Sequence, residues 1–162
     1  MSSMTRRVLK ELRDLQKQNL HAKEEEDMSH GVLALAPVSE DNLQEWEATI
    51  SGPTGTPYEG RTFHFSLRIP ETYPLHPPKV WALHPICHPN IHIKTGEVCL
   101  DILKTDWSPA WTLQAVCKAL GLLLAHPEPD SPLNVDAANL LRSGDTLAYY
   151  SLVHHFIGPR LR

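Results

Sequence analysis

The segment Thr62–Ile69 restricts the fold more than any other, because its side chains alternate strictly between polar and apolar. Such alternation is typical of a β-strand that buries one face and exposes the other in an antiparallel sheet. The buried face would hold Phe63, Phe65, Leu67 and Ile69. A sheet with one apolar face needs a second layer to cover it, and helices are the usual cover.

Shorter patterns supply the remaining elements. Apolar segments that end at proline, glycine or a turn predict three more strands, at Gly31–Pro37, Trp46–Ile50 and Val80–Leu83. Helical spacing of apolar residues predicts helices over Met4–Leu20, Thr112–Leu124, Val135–Leu141 and Thr146–Ile157, with Ser2 or Ser3 capping the first and Asp145 the last. This order, an N-terminal helix, a four-stranded antiparallel sheet and then three helices, indicates the α+β class.

Chain length and charge limit the number of domains and the kinds of partner that we expect for this protein. A chain of 162 residues is expected to form one domain over residues 1–162. The net charge of −4 comes mostly from the run Lys23–Asp27, and no basic cluster exists beyond Arg6, Arg7 and Lys10, which argues against a nucleic-acid partner. The longest apolar run is far shorter than the roughly 20 residues of a membrane span, so we expect a cytosolic protein without direct membrane insertion.

The three cysteines, Cys87, Cys99 and Cys117, form an odd and sparse set. Such a set favours reduced thiols, and a disulfide between two of the three cysteines is the alternative. Cys99 lies between Val98 and Leu100 with no obvious base beside it, a pattern that alone is typical of a core thiol.

The sequence argues against two other kinds of site, a zinc site and the active site of a cysteine hydrolase. His84, Cys87, His88 and His92 match none of the paired patterns of zinc ligands, so no metal site is expected. A cysteine hydrolase would need a histidine base and an oxyanion pocket. The chain has ten histidines, but none lies in a recognisable hydrolase motif.

Several separated motifs resemble the core of the ubiquitin-conjugating enzymes. They are His88-Pro89-Asn90, Cys99 nine residues after Asn90, Leu100–Leu103, Trp107–Ala110 and Tyr73–Val80, and the resemblance runs from Arg7 to the last helix. It implies the fold of that family, known as the UBC fold. It also implies an acyltransferase that accepts ubiquitin as a cysteine thioester from an activating enzyme. No cofactor is expected in the chain itself, because ATP is used by the upstream activating enzyme.

The resemblance also implies roles for single residues. Cys99 would be the nucleophile, and Asn90 either a donor to the oxyanion or a brace of the loop that carries Cys99. His88 and Pro89 would be structural. Loading would need no dedicated base, because a free thiol is already a few per cent thiolate at neutral pH.

The proline-rich stretch Glu128–Pro132 would form a gate beside the thioester. Ser131 stands at the position where relatives often carry an acidic residue or a serine that orients the incoming amine, and Asp130 would help to deprotonate or desolvate a lysine acceptor. As alternatives, Asn90 and Asp130 would be ordinary turn residues.

Partner surfaces follow from the same resemblance. The basic residues Arg6, Arg7 and Lys10 would meet the activating enzyme, and Leu75, Pro109 and Ala110 would meet a RING-type ligase. A basic helix face that is simply solvated is the alternative reading of the first surface.

A narrower resemblance concerns the C-terminal part. One residue more than usual separates Asn90 from Cys99, and the segments Asp130–Asp136, Arg142–Asp145 and Tyr149–Phe156 are similar to the peroxisomal branch of the family in yeasts. That branch is held at the cytosolic face of the peroxisomal membrane by a membrane-anchored partner, and it modifies a cysteine of import receptors. A general cytosolic conjugating enzyme and an inactive ubiquitin-binding variant are the alternatives.

Overall fold

The computed structural model describes residues 1–21 and 31–158, and the acidic run at 23–27 lies outside this range. The elements are α1 (Ser3–His21), β1 (Val32–Ser39), β2 (Asn42–Ser51), β3 (Thr62–Arg68), β4 (Lys79–Ala82), α2 (Asp101–Thr105), α3 (Leu113–Ala125), α4 (Val135–Arg142) and α5 (Thr146–Ile157). The predicted α+β class and element order are confirmed. The short helix α2 was not predicted, because five residues are too few for a helical period to be visible.

The sheet has the strand order β1-β2-β3-β4, and every neighbouring pair is antiparallel. The predicted alternation of β3 is confirmed, since Phe65 and Leu67 are fully buried and pair with Ala48 and Trp46 of β2. The apolar side of α3 packs on this face of the sheet. Each such Phe or Leu stabilises the fold by about 1.5–3 kcal/mol when it leaves water.

The two edges of the sheet differ. β1 contains Pro37 and two register shifts against β2. At the other edge, residues 96–98, which we call the flap, lie against β4: Ala82 N donates to Gly96 O at 2.7 Å, and Val98 N to Val80 O at 3.1 Å. A Cβ on Gly96 would lie 2.2 Å from Ala82 O, and its φ is +75°, so only glycine fits there. The flap leads directly into Cys99.

Side chains cap the helices at their N-termini. Ser2 Oγ accepts from Thr5 N at 3.0 Å, and Asp145 Oδ1 accepts from Ala148 N at 3.0 Å, so both predicted caps are confirmed. Thr112 caps α3 in the same way. Within residues 1–21 and 31–158, no helix has the length and apolar character needed to cross a membrane.

A buried carboxylate ties α1 to the rest of the domain. Glu11 is 6% exposed and accepts hydrogen bonds from Arg7 Nε at 2.6 Å, Tyr73 OH at 2.6 Å and Leu113 N at 2.7 Å. Arg7 also donates to Trp111 O at 2.7 Å. The placement of Arg7 on the outer basic face of α1 was therefore wrong, because its guanidinium turns inward to these partners.

Candidate active site

Cys99 follows the flap, and its backbone N–H donates to Asn90 O at 2.8 Å. All three cysteines lie in the described part of the chain and are free thiols, but Cys87 and Cys117 are fully buried whereas Cys99 is partly exposed. Burial raises the pKa of Cys87 to about 11 and that of Cys117 to about 12, so both stay protonated at neutral pH. Cys99 is thus the thiol that another protein can reach.

The carboxylate of Asp101, the first residue of α2, lines the same pocket as the Cys99 thiol. Burial raises the pKa of Cys99, and so does the negative charge of the Asp101 carboxylate nearby. The polar side chains of Cys99 and Ser131 nearby lower the pKa of Asp101 in turn. Lys104 Nζ lies 3.9 Å from Asp101 Oδ1. Sequence reasoning missed Asp101, although a carboxylate two residues beyond the cysteine was a visible signal.

Asn90 is 1% exposed, and its carboxamide holds the loop at 128–131, the gate loop. Oδ1 accepts from Glu128 N at 2.8 Å, while Nδ2 donates to Glu128 O at 2.7 Å and to Ser131 O at 3.2 Å. Both amide hydrogens are therefore engaged. In this arrangement Asn90 braces the gate loop, and a role as oxyanion donor would require one of these bonds to break.

His88 and Pro89 fix the segment that precedes Asn90. The ring of His88 is fully buried, with Nε2 2.8 Å from Leu123 O and Nδ1 accepting from Asn90 N at 3.0 Å. The proton therefore sits on Nε2, and burial lowers the pKa of His88 to about 4, which keeps the ring neutral. Pro89 O accepts from the backbone N–H groups of Leu133 and Asn134. These contacts fix the backbone next to Asn90, which is a structural role.

The gate loop and the thiol line one pocket of about 200 Å³, together with Asn90, Asp101 and Leu123. Ser131 is exposed at its rim. The side chain of Asp130 is 92% exposed, and its Oδ1 lies 3.9 Å from Arg142 Nε. The structure thus brings Ser131 to the pocket that Cys99 lines. The Asp130 carboxylate reaches the same pocket and has Arg142 as its ionic neighbour.

The predicted partner residues form two surfaces. Leu75, which is 68% exposed, and the exposed residues Pro109 and Ala110 lie on neighbouring loops that Trp107 joins by donating from Nε1 to Pro74 O at 2.9 Å. Arg6 and Lys10 are exposed on α1. Among the described residues, no group of three or more histidine, cysteine, aspartate or glutamate side chains is arranged to hold a metal ion.

Comparison with known proteins gives a matching sequence family and similar relatives. Residues 7–156 match the sequence family described as ubiquitin-conjugating enzyme. Protein PEROXIN-4 of Arabidopsis thaliana is 58% identical over 115 residues, which are 71% of this chain and 73% of that protein. Ubiquitin-conjugating enzyme E2 pex4 of Dictyostelium discoideum is 46% identical over 153 residues, 94% of this chain and 96% of that one.

A solved structure is similar over nearly the whole chain. It is the crystal structure of the H. polymorpha ubiquitin conjugating enzyme Pex4p in complex with the soluble domain of Pex22p. It has a TM-score of 0.88 and 41% sequence identity, and the match covers 96% of this chain and 97% of that one.

Proposed function

The chain belongs to the ubiquitin-conjugating enzyme family, and from this premise we propose that it carries ubiquitin as a thioester on Cys99 and transfers it to a protein acceptor. The Cys99 sulfur would attack the thioester that the activating enzyme holds, and no cofactor of its own would take part. The supporting observation is the exposure of Cys99 at a pocket while the other two thiols are buried.

Loading on Cys99 is tested with ubiquitin, activating enzyme and ATP. The wild type should gain one ubiquitin in a bond that a thiol reagent cleaves. Cys99→Ser should give an oxygen ester that resists the reagent, and Cys99→Ala should give no adduct. The control is the double variant Cys87→Ser, Cys117→Ser, which should load like the wild type. A folded double variant that fails to load would contradict the assignment, and a wild type that only binds ubiquitin non-covalently would favour the inactive alternative.

We further propose that the enzyme works at the cytosolic face of the peroxisomal membrane, held there by a membrane-anchored partner. The similarity to PEROXIN-4 and pex4 proteins supports the location, and the Pex22p complex of the H. polymorpha relative supports the partner. In cells, a tagged chain should colocalise with peroxisomes and become diffuse when the partner is deleted. A diffuse signal in both strains would favour a general cytosolic enzyme.

For the acceptor we propose a cysteine, as in a cycling import receptor. At pH 7 about one lysine in 2,500 is a free amine, whereas about one cysteine in thirty is ionised, so a thiol starts with the larger reactive fraction. Ser131, where many relatives carry an acid, fits an acceptor that needs less help. Single-turnover loss of the thioester should be faster with N-acetylcysteine, which has no free α-amine, than with free lysine. Equal rates would contradict a preference for thiols.

A RING-type ligase would bind the surface of Leu75, Pro109 and Ala110. The exposure of an apolar side chain at 68% on Leu75 supports this. Leu75→Ala should abolish ligase-stimulated discharge and leave unstimulated discharge unchanged. The matched control is Leu147→Ala, which removes a leucine that is 79% exposed on α5. Equal ligase stimulation in both variants would contradict this surface.

A further inference from the structure

Two side chains hold the gate loop at 128–131 from opposite sides. Asn90 binds the two ends of the loop from the inside. Its hydrogen bonds do not include the middle of the loop, Pro129 and Asp130. Arg142, the last residue of α4, contacts this middle part from the outside: its Nη2 donates to Pro129 O, and its Nε lies 3.9 Å from Asp130 Oδ1.

The position of Arg142 is fixed by the helix that carries it. The start of α4 is attached beside the active site, since the backbone N–H groups of Leu133 and Asn134 both donate to Pro89 O. Asn134 also caps the helix, with Oδ1 accepting from Ala137 N at 3.2 Å. The donors of a guanidinium form a rigid planar fork, so Arg142 can meet a carbonyl and a carboxylate together.

The hydrogen bond to the Pro129 carbonyl is the stronger of the two contacts of Arg142. Its donor is charged, and such bonds are stronger than those between neutral groups. The ion pair with Asp130 contributes little, because the two side chains are 42% and 92% exposed and water screens their charges. Loss of Arg142 would therefore free the middle of the gate loop mainly by releasing the Pro129 carbonyl.

We propose that Arg142 is a positioning residue that holds the gate loop against the thioester and protects it from water. The proposal rests on Cys99 as the residue that carries ubiquitin. Three residues of the gate loop line the same pocket of about 200 Å³ as Cys99, so an outward shift of the loop would open this pocket to water. In hydrolysis, a water oxygen would bond to the ubiquitin carbonyl carbon, the carbon–sulfur bond would break, and the sulfur would take up one water proton. Arg142 would thus decide how much ubiquitin reaches an acceptor.

Hydrogen exchange in the free enzyme tests the contact without ubiquitin. The backbone N–H of Glu128 donates to Asn90 Oδ1 at 2.8 Å, so its exchange rate reports how often the loop opens. Arg142→Ala should raise this rate about tenfold, the factor expected from one hydrogen bond to a charged group. Arg142→Lys keeps the charge and one donor group, and it should restore part of the protection. Asp130→Asn should leave the exchange rate near that of the wild type, because the ion pair is weak.

Single-turnover discharge tests the consequence for the thioester. In Arg142→Ala, the ratio of transfer to N-acetylcysteine over hydrolysis should fall about tenfold. Loading should stay within a few-fold, and the Tm should change by less than about 2 °C, as is usual for exposed positions. A general structural defect would instead lower the Tm and slow loading as well. The matched control is Arg13→Ala, which removes an exposed arginine of α1 and should leave the ratio unchanged.

Three results would overturn the proposal. The first is unchanged exchange at Glu128 in Arg142→Ala, and the second is an unchanged ratio of transfer to hydrolysis in the same variant. The third is an Asp130→Asn enzyme that exchanges as fast as Arg142→Ala, because the ion pair would then hold the loop. If the wild type never loads at Cys99, the proposed function fails and the protective role fails with it. If it loads and Arg142→Ala behaves like the wild type, only the role of Arg142 fails.

Discussion

Replacing Asn90 by alanine would separate its two candidate roles. The substitution removes three hydrogen bonds to Glu128 and Ser131, one accepted and two donated. At about 1 kcal/mol net for each bond, a brace contributes about 3 kcal/mol, and somewhat less where water replaces a lost partner in the exposed loop. For a chain of this size, the Tm should then fall by about 5–10 °C.

The kinetic expectation follows from the same contacts. Without its brace, the gate loop no longer holds Ser131 at the pocket that Cys99 lines, so discharge of the thioester should slow while loading changes little. If Asn90 acted only as an oxyanion donor, discharge would fall by about 10²–10³ and the Tm would stay unchanged. Differential scanning calorimetry and single-turnover discharge therefore give two different signatures.

The control is Asn139→Ala on α4, an exposed asparagine whose side chain accepts only from Arg142 Nη1, at 3.3 Å, among the described contacts. This change should shift the Tm by less than about 2 °C, as is usual for exposed positions. A Tm for Asn90→Ala as close to the wild type as that of the control would refute the bracing role. Asn90 would then be either an oxyanion donor or an ordinary turn residue, and the discharge rate would distinguish these two roles.

Three further predictions concern stability and loading. Since burial lowers the pKa of His88 to about 4 from 6.5, the unfolded chain binds an extra proton between these values. The free energy of unfolding should thus fall by up to about 3 kcal/mol as the pH drops through this window. Denaturant titrations should show a shallower fall in His88→Gln, and identical slopes would refute the assignment. Glu11→Ala should cost about 3–5 kcal/mol in the same assay, because it leaves Arg7 without its buried partner; a loss below 1 kcal/mol would show that the network is not stabilising. The double variant Arg6→Glu, Lys10→Glu should slow loading about tenfold at low salt and less at high salt, and unchanged loading would favour a merely solvated face.

The elements predicted well are those whose signals are local. The alternation of Thr62–Ile69 and the caps at Ser2 and Asp145 each depend on residues a few positions apart, and the structure places them as expected. The inward turn of Arg7 is different. Its cause is Glu11, whose other partners Tyr73 and Leu113 lie 62 and 102 residues along the chain. A charged residue within the apolar stripe of α1 was the available hint.

In the active site too, the local motif could be predicted from the sequence, whereas contacts between distant residues could not. The motif around Cys99 could be recognised from the sequence, but the partners of Asn90 lie 38 and 41 residues away in a proline-rich loop without any periodic pattern. Asp101 is close to Cys99 in sequence, and both residues line one pocket where the chain turns into α2. Helices as short as α2 carry too little pattern to be predicted from sequence.

The unequal edges of the sheet would have a consequence if the protein gathers on an organelle surface, as proposed above. An open strand edge is a template on which a second molecule can add its own strand. Here the flap already takes hydrogen-bonding groups of β4, and Pro37, which lacks an N–H, and two register shifts interrupt β1. Within the described residues, neither edge presents a long regular ladder. Molecules recruited side by side would therefore have little tendency to join into a continuous sheet, and crowding at the membrane should leave them individually exchangeable.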